Sequence, residues 1–292
     1  MKQSIARILS LCAMTVLTGV TQNTFAAELV KVGAGSDADL KLYVIDCGVL
    51  LYNNPNKFGY KKEDLKETNL SNGCYLIVDP GKGTLLWDTG VIPDNLWKGD
   101  GISPKKFYAE GTRPLKEQLA EIGYQPDDIK YVAVANQYWD HISNLYQFAN
   151  DTWLTSKITR DKLLSSNAPE HTDPALFSSL KDTKTITIPD DKNYDVFGDG
   201  SIIIIPTPGH TPDHHSLLVN LKRTGPIIIS GDLWHYTKDF ETNFTQNNDD
   251  RPTTLLSRAR ILQLAKKINA NIWIPHDYIQ FSQLKKSPEY YN

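Results

Sequence analysis

After residue 26 the sequence has no apolar run long enough to cross a bilayer. It has no marked excess of charge either: 31 Lys and Arg stand against 34 Asp and Glu, a net charge of −3. The first absence excludes a membrane-spanning body. The second argues against nucleic acid and anionic membranes as partners. Low-complexity tracts and linkers are missing too, which leaves one domain rather than several. Cysteine is scarce: of three residues, Cys12 lies in the leader, and only Cys47 and Cys74 remain beyond it. Both fall in segments that read as neighbouring strands, so either a disulfide or a pair of small buried hydrophobes is expected.

What is present begins with that leader. "MKQSIAR" carries Lys2 and Arg7 and no acid, "ILSLCAMTVLTGV" is apolar, and "TQNTFAA" supplies small residues at a cleavage point. This is the pattern of a secretory signal peptide, cut after Ala26. The expectation is therefore a leader over 1–26 and a soluble domain over 27–292, periplasmic or secreted.

Hydrophobic patterning predicts strands at 41–46, 74–79 and 83–88, the last two joined as a hairpin by "PGKG". The polar segment 51–72 reads as a loop near the site. Leu115, Leu119 and Ile122 recur at helical spacing ahead of a strand at 129–135. A short strand follows around "TWLTS", then a second series at 185–189, 201–206, 215–221 and 226–230. The clearest helix is "TLLSRARILQLAKKI", with Leu255, Ala259, Leu262 and Ala265 or Ile268 marking its expected inner face, and it leads into a strand at 271–275. Two β-rich halves, each closing with a helix and a strand, give an α/β class with two sheets packed together and helices outside.

The polar residues gather at strand ends. "YVAVA" runs into Asn136-Gln137-Tyr138-Trp139-Asp140-His141, "SIIIIPTPG" ends in His210, "PIIISG" in Asp232 with His235 behind it, and "NIWIP" in His276-Asp277. Four of the seven histidines lie in these places. One such histidine is ordinarily a surface or hydrogen-bonded residue. Four on one rigid edge, with carboxylates, are what zinc and similar ions bind.

The stretches "NQYWDH", "TPGHTPDHHSLLV", "SGDLWHY" and "WIPHD", with "LLWDTG" over Asp88–Gly90, resemble in order and spacing the motifs of the metallo-β-lactamase fold. The likeness is greatest to its N-acyl-homoserine-lactonase-like hydrolases and covers nearly the whole chain beyond the leader. It implies an αββα sandwich with the site at one edge of the sheets. It also implies a site for two metal ions, onto which Asp140, His141, His210, Asp232 and His276 map as ligands. The family's first motif is H-x-H-x-D-H, and here its two leading histidines are Asn136 and Tyr138. An amide oxygen is a weak zinc ligand, and a phenol of pKa about 10 must first lose its proton. The expectation is one zinc ion, or another divalent metal, held by Asp140, His141 and His276 with Asp232 beside it.

Such an ion acidifies a bound water to a pKa of ~7, and the hydroxide would attack the carbonyl of an ester or lactone. Asp140, Asp232, His235 and Tyr138 are the candidate catalytic residues. Asp232 would be either a fourth ligand or the acceptor that orients the water, and Tyr138 or His235 would polarise the carbonyl or protonate the leaving alkoxide. In the family's lactonases a Tyr follows the bridging Asp by three residues; His235 holds that place here. Asp277 and Tyr278 are expected to orient His276. His214 and His215 read as surface residues, and His171 has no assigned role. Trp139, Trp234 and Tyr236 are either pocket walls or core. The competing reading is a silent relative that binds a small molecule. Hydrolysis of β-lactams is a third, against which the lactonase-like C-terminal motifs speak.

Overall fold

The computed structural model describes residues 39–52, 54–97, 108–111, 113–167 and 169–292. The expected leader lies outside them. Alternation with a period of two along the strands explains the architecture. In β1 (Lys41–Leu50), Leu42 and Val44 face one side while Tyr43 and Ile45 face the other. The same division recurs in β2 (Leu70–Asp79), β3 (Gly83–Trp87), β5 (Tyr131–Ala133) and β6 (Thr152–Thr155). Together with β4 (Ala109–Glu110), β7 (Thr185–Thr187) and β13 (Tyr290–Tyr291), these make an eight-stranded mixed sheet in the order β13-β1-β2-β3-β5-β6-β7, with β4 on β1.

A second sheet holds β8 (Tyr194–Asp195), β9 (Ile202–Pro206), β10 (His215–Leu221), β11 (Gly225–Ile229) and β12 (Asn271–Trp273), in the order β12-β11-β10-β9-β8. The principal core lies between the sheets: Leu42, Tyr75, Ile77, Leu85 and Trp87 from the first meet Ile202, Ile204, Leu217, Val219 and Ile229 from the second. The outer face of the first sheet is covered by Leu115 and Leu119 of the helix Leu115–Glu121 and by Leu145, Phe148, Phe177 and Leu180. The chain is thus an α/β sandwich of the expected αββα kind. Among the described residues no helix is long and apolar enough to cross a membrane.

Three local expectations change. The loop expected over 51–72 ends earlier, because β2 starts at Leu70 and all ten of its residues are buried. Its polar start is satisfied tertiarily: the Ser71 hydroxyl donates to Pro275 O at 2.7 Å, and Ser71 N donates to His276 O at 3.2 Å. The helix Arg251–Ile268, capped by the Asp250 side chain on Thr253 N, buries Thr254, Ser257, Arg258, Ile261, Leu264 and Ala265. Ala265 is buried as expected, but Leu262 is 44% exposed and Ala259 is exposed, so the inner face is rotated from the rest of the apolar stripe. The reason is that this helix packs on loop backbone: Ser257 Oγ donates to Pro208 O, and Arg258 Nε to Leu233 O, both at 2.7 Å. Finally, β13 returns to pair with β1 through Leu42↔Tyr291, a closure the two-residue segment does not announce.

Cys47 and Cys74 form a disulfide, with Cα atoms 5.8 Å apart. The antiparallel register Ile45↔Cys74 and the β1 irregularity after Asp46 bring the two side chains to one face. In protein lacking residues 1–26, thiol titration after unfolding without reductant should find no free thiol. Closing a loop with a sequence separation of 27 corresponds to roughly 3.5 kcal/mol of loop entropy, so Cys47→Ser should lower stability by about that amount. Two titratable thiols in the untreated protein would refute the bond.

Candidate metal centre

Four strand ends deliver the polar groups to one edge, as the sequence pattern anticipates. After β5, the one-turn helix Trp139–Ile142 carries Asp140 and His141. The β9–β10 loop carries His210, the short 3-10 turn Gly231–Leu233 after β11 carries Asp232, and His235 follows it. His276 lies just past β12. All six side chains are buried.

Asp232 sits between two sets of candidate ligands. Its Oδ1 lies 2.9 Å from His141 Nε2 and 3.2 Å from His276 Nε2, and Asp140 Oδ2 is 3.7 and 3.6 Å from the same nitrogens. Its Oδ2 lies 2.9 Å from His210 Nε2 and 3.8 Å from His235 Nε2. Two groups, Asp140–His141–His276 and His210–Asp232–His235, each place their ligand atoms within 4.8 Å of one another. His141 Nε2, His210 Nε2 and Asp232 Oδ1 are buried without a hydrogen-bond partner. Buried polar atoms are normally paired, so these donor atoms fit a divalent cation.

The far nitrogen of three rings faces an oxygen. His141 Nδ1 is 3.1 Å from Asp88 Oδ2, His210 Nδ1 is 3.0 Å from Asp249 Oδ1, and His276 Nδ1 is 2.9 Å from the Ser71 carbonyl. Such outer partners fix ring orientation and tautomer at metal sites. Asp88 has a left-handed backbone (φ 61) in "LLWDTG" and also accepts from Ala135 N at 2.7 Å. Asp277 does not orient His276. It caps the helix Tyr278–Gln283 through Gln280 N and accepts from Thr237 N, while Tyr278 is 39% exposed. Ser71 acts through its backbone carbonyl and Asp249 stands in the polar run "NNDD", so neither carried a sequence signal.

His214 and His215 are buried, contrary to expectation. His214 Nε2 accepts from Asp232 N at 2.9 Å while Nδ1 faces Thr207 O at 3.0 Å, so the ring clamps the Asp232 turn. Gly231 makes this possible: its φ is +57, and a Cβ there would stand 2.6 Å from His214 Nε2. Gly209 (φ +140) likewise lets the His210 loop lie on the N-terminus of the helix Arg251–Ile268, where a Cβ would meet Thr254 N at 2.4 Å.

Charge in the cluster is arranged around Asp232. Burial would raise its pKa, but His141, His210 and His276 hold it well below the carboxylate range. Burial opposes protonation of His210, yet Asp232 and Asp249 push its pKa up to about 9. His235 is the exception: burial dominates and holds it well below the usual imidazole value.

Of the two replaced positions, Asn136 is buried with Oδ1 accepting from Tyr138 N at 2.8 Å, so its oxygen is engaged locally. Tyr138 packs edge-on to His210, ring centroids 5.2 Å apart, and burial followed by Asp232 and Asp249 raises its pKa. Above the cluster opens a cavity of about 870 Å³ lined by Leu51, Tyr52 and Phe58 of the 51–72 segment and by Tyr138, Trp139 and His171. That segment therefore borders the site, as expected, and His171 gains a place on the wall. Trp234 and Tyr236 are core residues, packed on Phe240 and on Phe58 with Tyr60 respectively.

Removing an outer partner tests the arrangement: Asp249→Ala should weaken divalent-ion affinity by about 10–100-fold, read by competition with a chromophoric chelator. A second test concerns His214, whose pKa burial lowers from 6.5 to about 3. The unfolded chain binds this proton at the higher pH, so the stabilisation is complete above pH 6.5 and is lost as pH falls toward 3. Thermal unfolding of metal-free protein at pH 7 and pH 5 should therefore show a smaller difference for His214→Phe than for the wild type. Equal differences would remove His214 from the account.

Comparison with known proteins agrees with this geometry. The family model for the metallo-beta-lactamase superfamily matches residues 69–269. The chain is 27% identical over 281 residues to the N-acyl homoserine lactonase AttM of Rhizobium radiobacter, covering 87% of this chain and 99% of that protein. It is 24% identical over 237 residues to the lactonase AiiA of Bacillus thuringiensis subsp. kurstaki, covering 77% and 88%. In three dimensions it is similar to an N-acyl homoserine lactone hydrolase solved with N-hexanoyl-L-homoserine at its catalytic metal centre, with a TM-score of 0.68 and 23% identity over 86% of this chain and 98% of that one. AidC, a dizinc quorum-quenching lactonase solved with a product, gives a TM-score of 0.62 at 17% identity, over 84% and 90%. With its sandwich, its strand-end ligands and a family match over most of its length, the chain belongs to the metallo-beta-lactamase superfamily.

Proposed function

We propose that the protein is a metal-dependent hydrolase that opens the ring of a lactone of the N-acyl homoserine class. The observation that carries this is the buried Asp140–His141–His276 group sharing Asp232, at the floor of a cavity with apolar and aromatic walls. The names of the relatives support the lactone class. A divalent ion, zinc in type, is held by Asp140, His141 and His276 with Asp232 beside it, and one ion there suffices for the reaction. When bound, the ion supplies Lewis acidity and an acidified water.

The chain's own residues supply the rest. Asp232 and Asp140 orient the attacking water through their carboxylate oxygens. Tyr138, half-buried on the cavity wall beside His210, donates its phenolic O–H to the carbonyl or to the departing ring oxygen. Leu51, Tyr52 and Phe58 take the acyl chain, and Trp139 closes the opposite wall. The proposal places the enzyme in the periplasm or outside the cell. The leader pattern over 1–26 and the Cys47–Cys74 disulfide, a bond that persists in oxidising compartments, support that placement.

The zinc-loaded protein should open N-acyl homoserine lactones, followed by proton release, faster than it hydrolyses linear esters or β-lactams. Asp140→Ala and His276→Ala should each abolish that turnover, while Phe58→Ala should change the preference among acyl chain lengths. Absence of turnover with lactones, together with saturable binding of one, would favour the silent binding protein instead.

A further inference from the structure

The expectation of a single ion counted only positions equivalent to the family's first motif, and by that count His210 has lost both of its nitrogen partners. The structure brings another nitrogen to the vacated side. His235 Nε2 lies 3.8 Å from Asp232 Oδ2, the same oxygen that His210 Nε2 approaches to 2.9 Å, and the two rings are 5.5 Å apart. At 3.8 Å no hydrogen bond joins His235 to the carboxylate. Two ligand atoms of a tetrahedral ion with bonds of 2.0–2.1 Å stand roughly 3.3 Å apart. The separations of 2.9 and 3.8 Å bracket that edge.

His235 is also held in place. Its main-chain N donates to Asp239 Oδ2 at 2.8 Å, and its ring stacks on His276 at 5.3 Å and packs on Phe58 at 4.4 Å. Asp239 is fixed in turn by Tyr60 Oη at 2.7 Å. His210 is already oriented through its other nitrogen by Asp249. Asn136, by contrast, spends its oxygen on Tyr138 N.

We propose that His235 replaces the two missing histidines as a metal ligand, so that a second divalent ion is held by His210, His235 and Asp232 Oδ2. Asp232 then bridges, with Oδ1 toward the Asp140–His141–His276 position. Three protein ligands leave the second ion a coordination position open, and His210, Asp232 and His235 all border the substrate cavity. His235 is accordingly a ligand rather than a proton donor. This inference rests on the reading of the Asp140–His141–His276 group as a metal position.

The test is metal content by mass spectrometry after zinc loading and desalting, with cobalt absorption as a second readout. The wild type should hold about two ions per chain, His235→Phe and His210→Ala about one each, and Asn136→Ala about two. Wild type with one ion, or His235→Phe with two, overturns the proposal while leaving the first position standing. A wild type with none overturns the metal reading itself. Where the wild type holds two ions, X-ray absorption decides the matter even if a variant fails to fold: about two imidazoles per zinc are expected, and an average nearer one and a half rules His235 out.

Discussion

The carboxylate of Asp232 is the constraint on which the site depends. It is buried, and its oxygens face four imidazoles on three other segments of chain and its own loop. An isolated carboxylate in that position would be expensive to desolvate. The imidazoles that surround it offset this cost, which is why its pKa falls while those of His141, His210 and His276 rise. The fold is arranged to bring those groups within reach: strand ends from both sheets converge, and His214 clamps the backbone beneath Asp232. A cation in the cluster would assume the balancing role that protons otherwise fill.

Much of this was legible in the sequence, for a physical reason. Strand-end histidines and aspartates follow runs such as "YVAVA" and "PIIIS", whose apolar character fixes them as sheet interior, so the polar residue after each run must stand at the sheet edge. Asp140, His141, His210, Asp232, His235 and His276 were found this way. What stayed hidden acts through backbone or through neighbours distant in sequence. The Ser71 carbonyl has no side-chain signature, and Asp249 is one acid within a polar loop. His214 and His215 look like surface residues because a polar pair ahead of a strand carries no sign of being buried under another loop. The helix Arg251–Ile268 misleads for a related reason. Its inner face is chosen by carbonyls that need donors, Pro208 O and Leu233 O, and those outweigh an apolar stripe that includes Leu262.

The same distinction separates the family's pattern from this chain's version of it. Motif positions identify where a ligand usually comes from, but an ion responds only to donor atoms in space. His235 stands three residues beyond Asp232, outside the first motif, yet its nitrogen lies 3.8 Å from the carboxylate oxygen that His210 approaches to 2.9 Å.

One feature of β2 carries a thermodynamic consequence. Leu70, its first residue, forms part of the cavity wall, and the carbonyl of Ser71, the next residue, holds the His276 ring. A bound molecule that shifted Leu70 would therefore shift the hydrogen bond that orients the His276 ring. Under the proposed function, occupancy of the cavity and affinity for an ion would be coupled, and coupling of this kind is reciprocal: whatever factor a bound molecule imposed on the ion, the ion would impose on that molecule. Metal retention would then report on what the cavity contains.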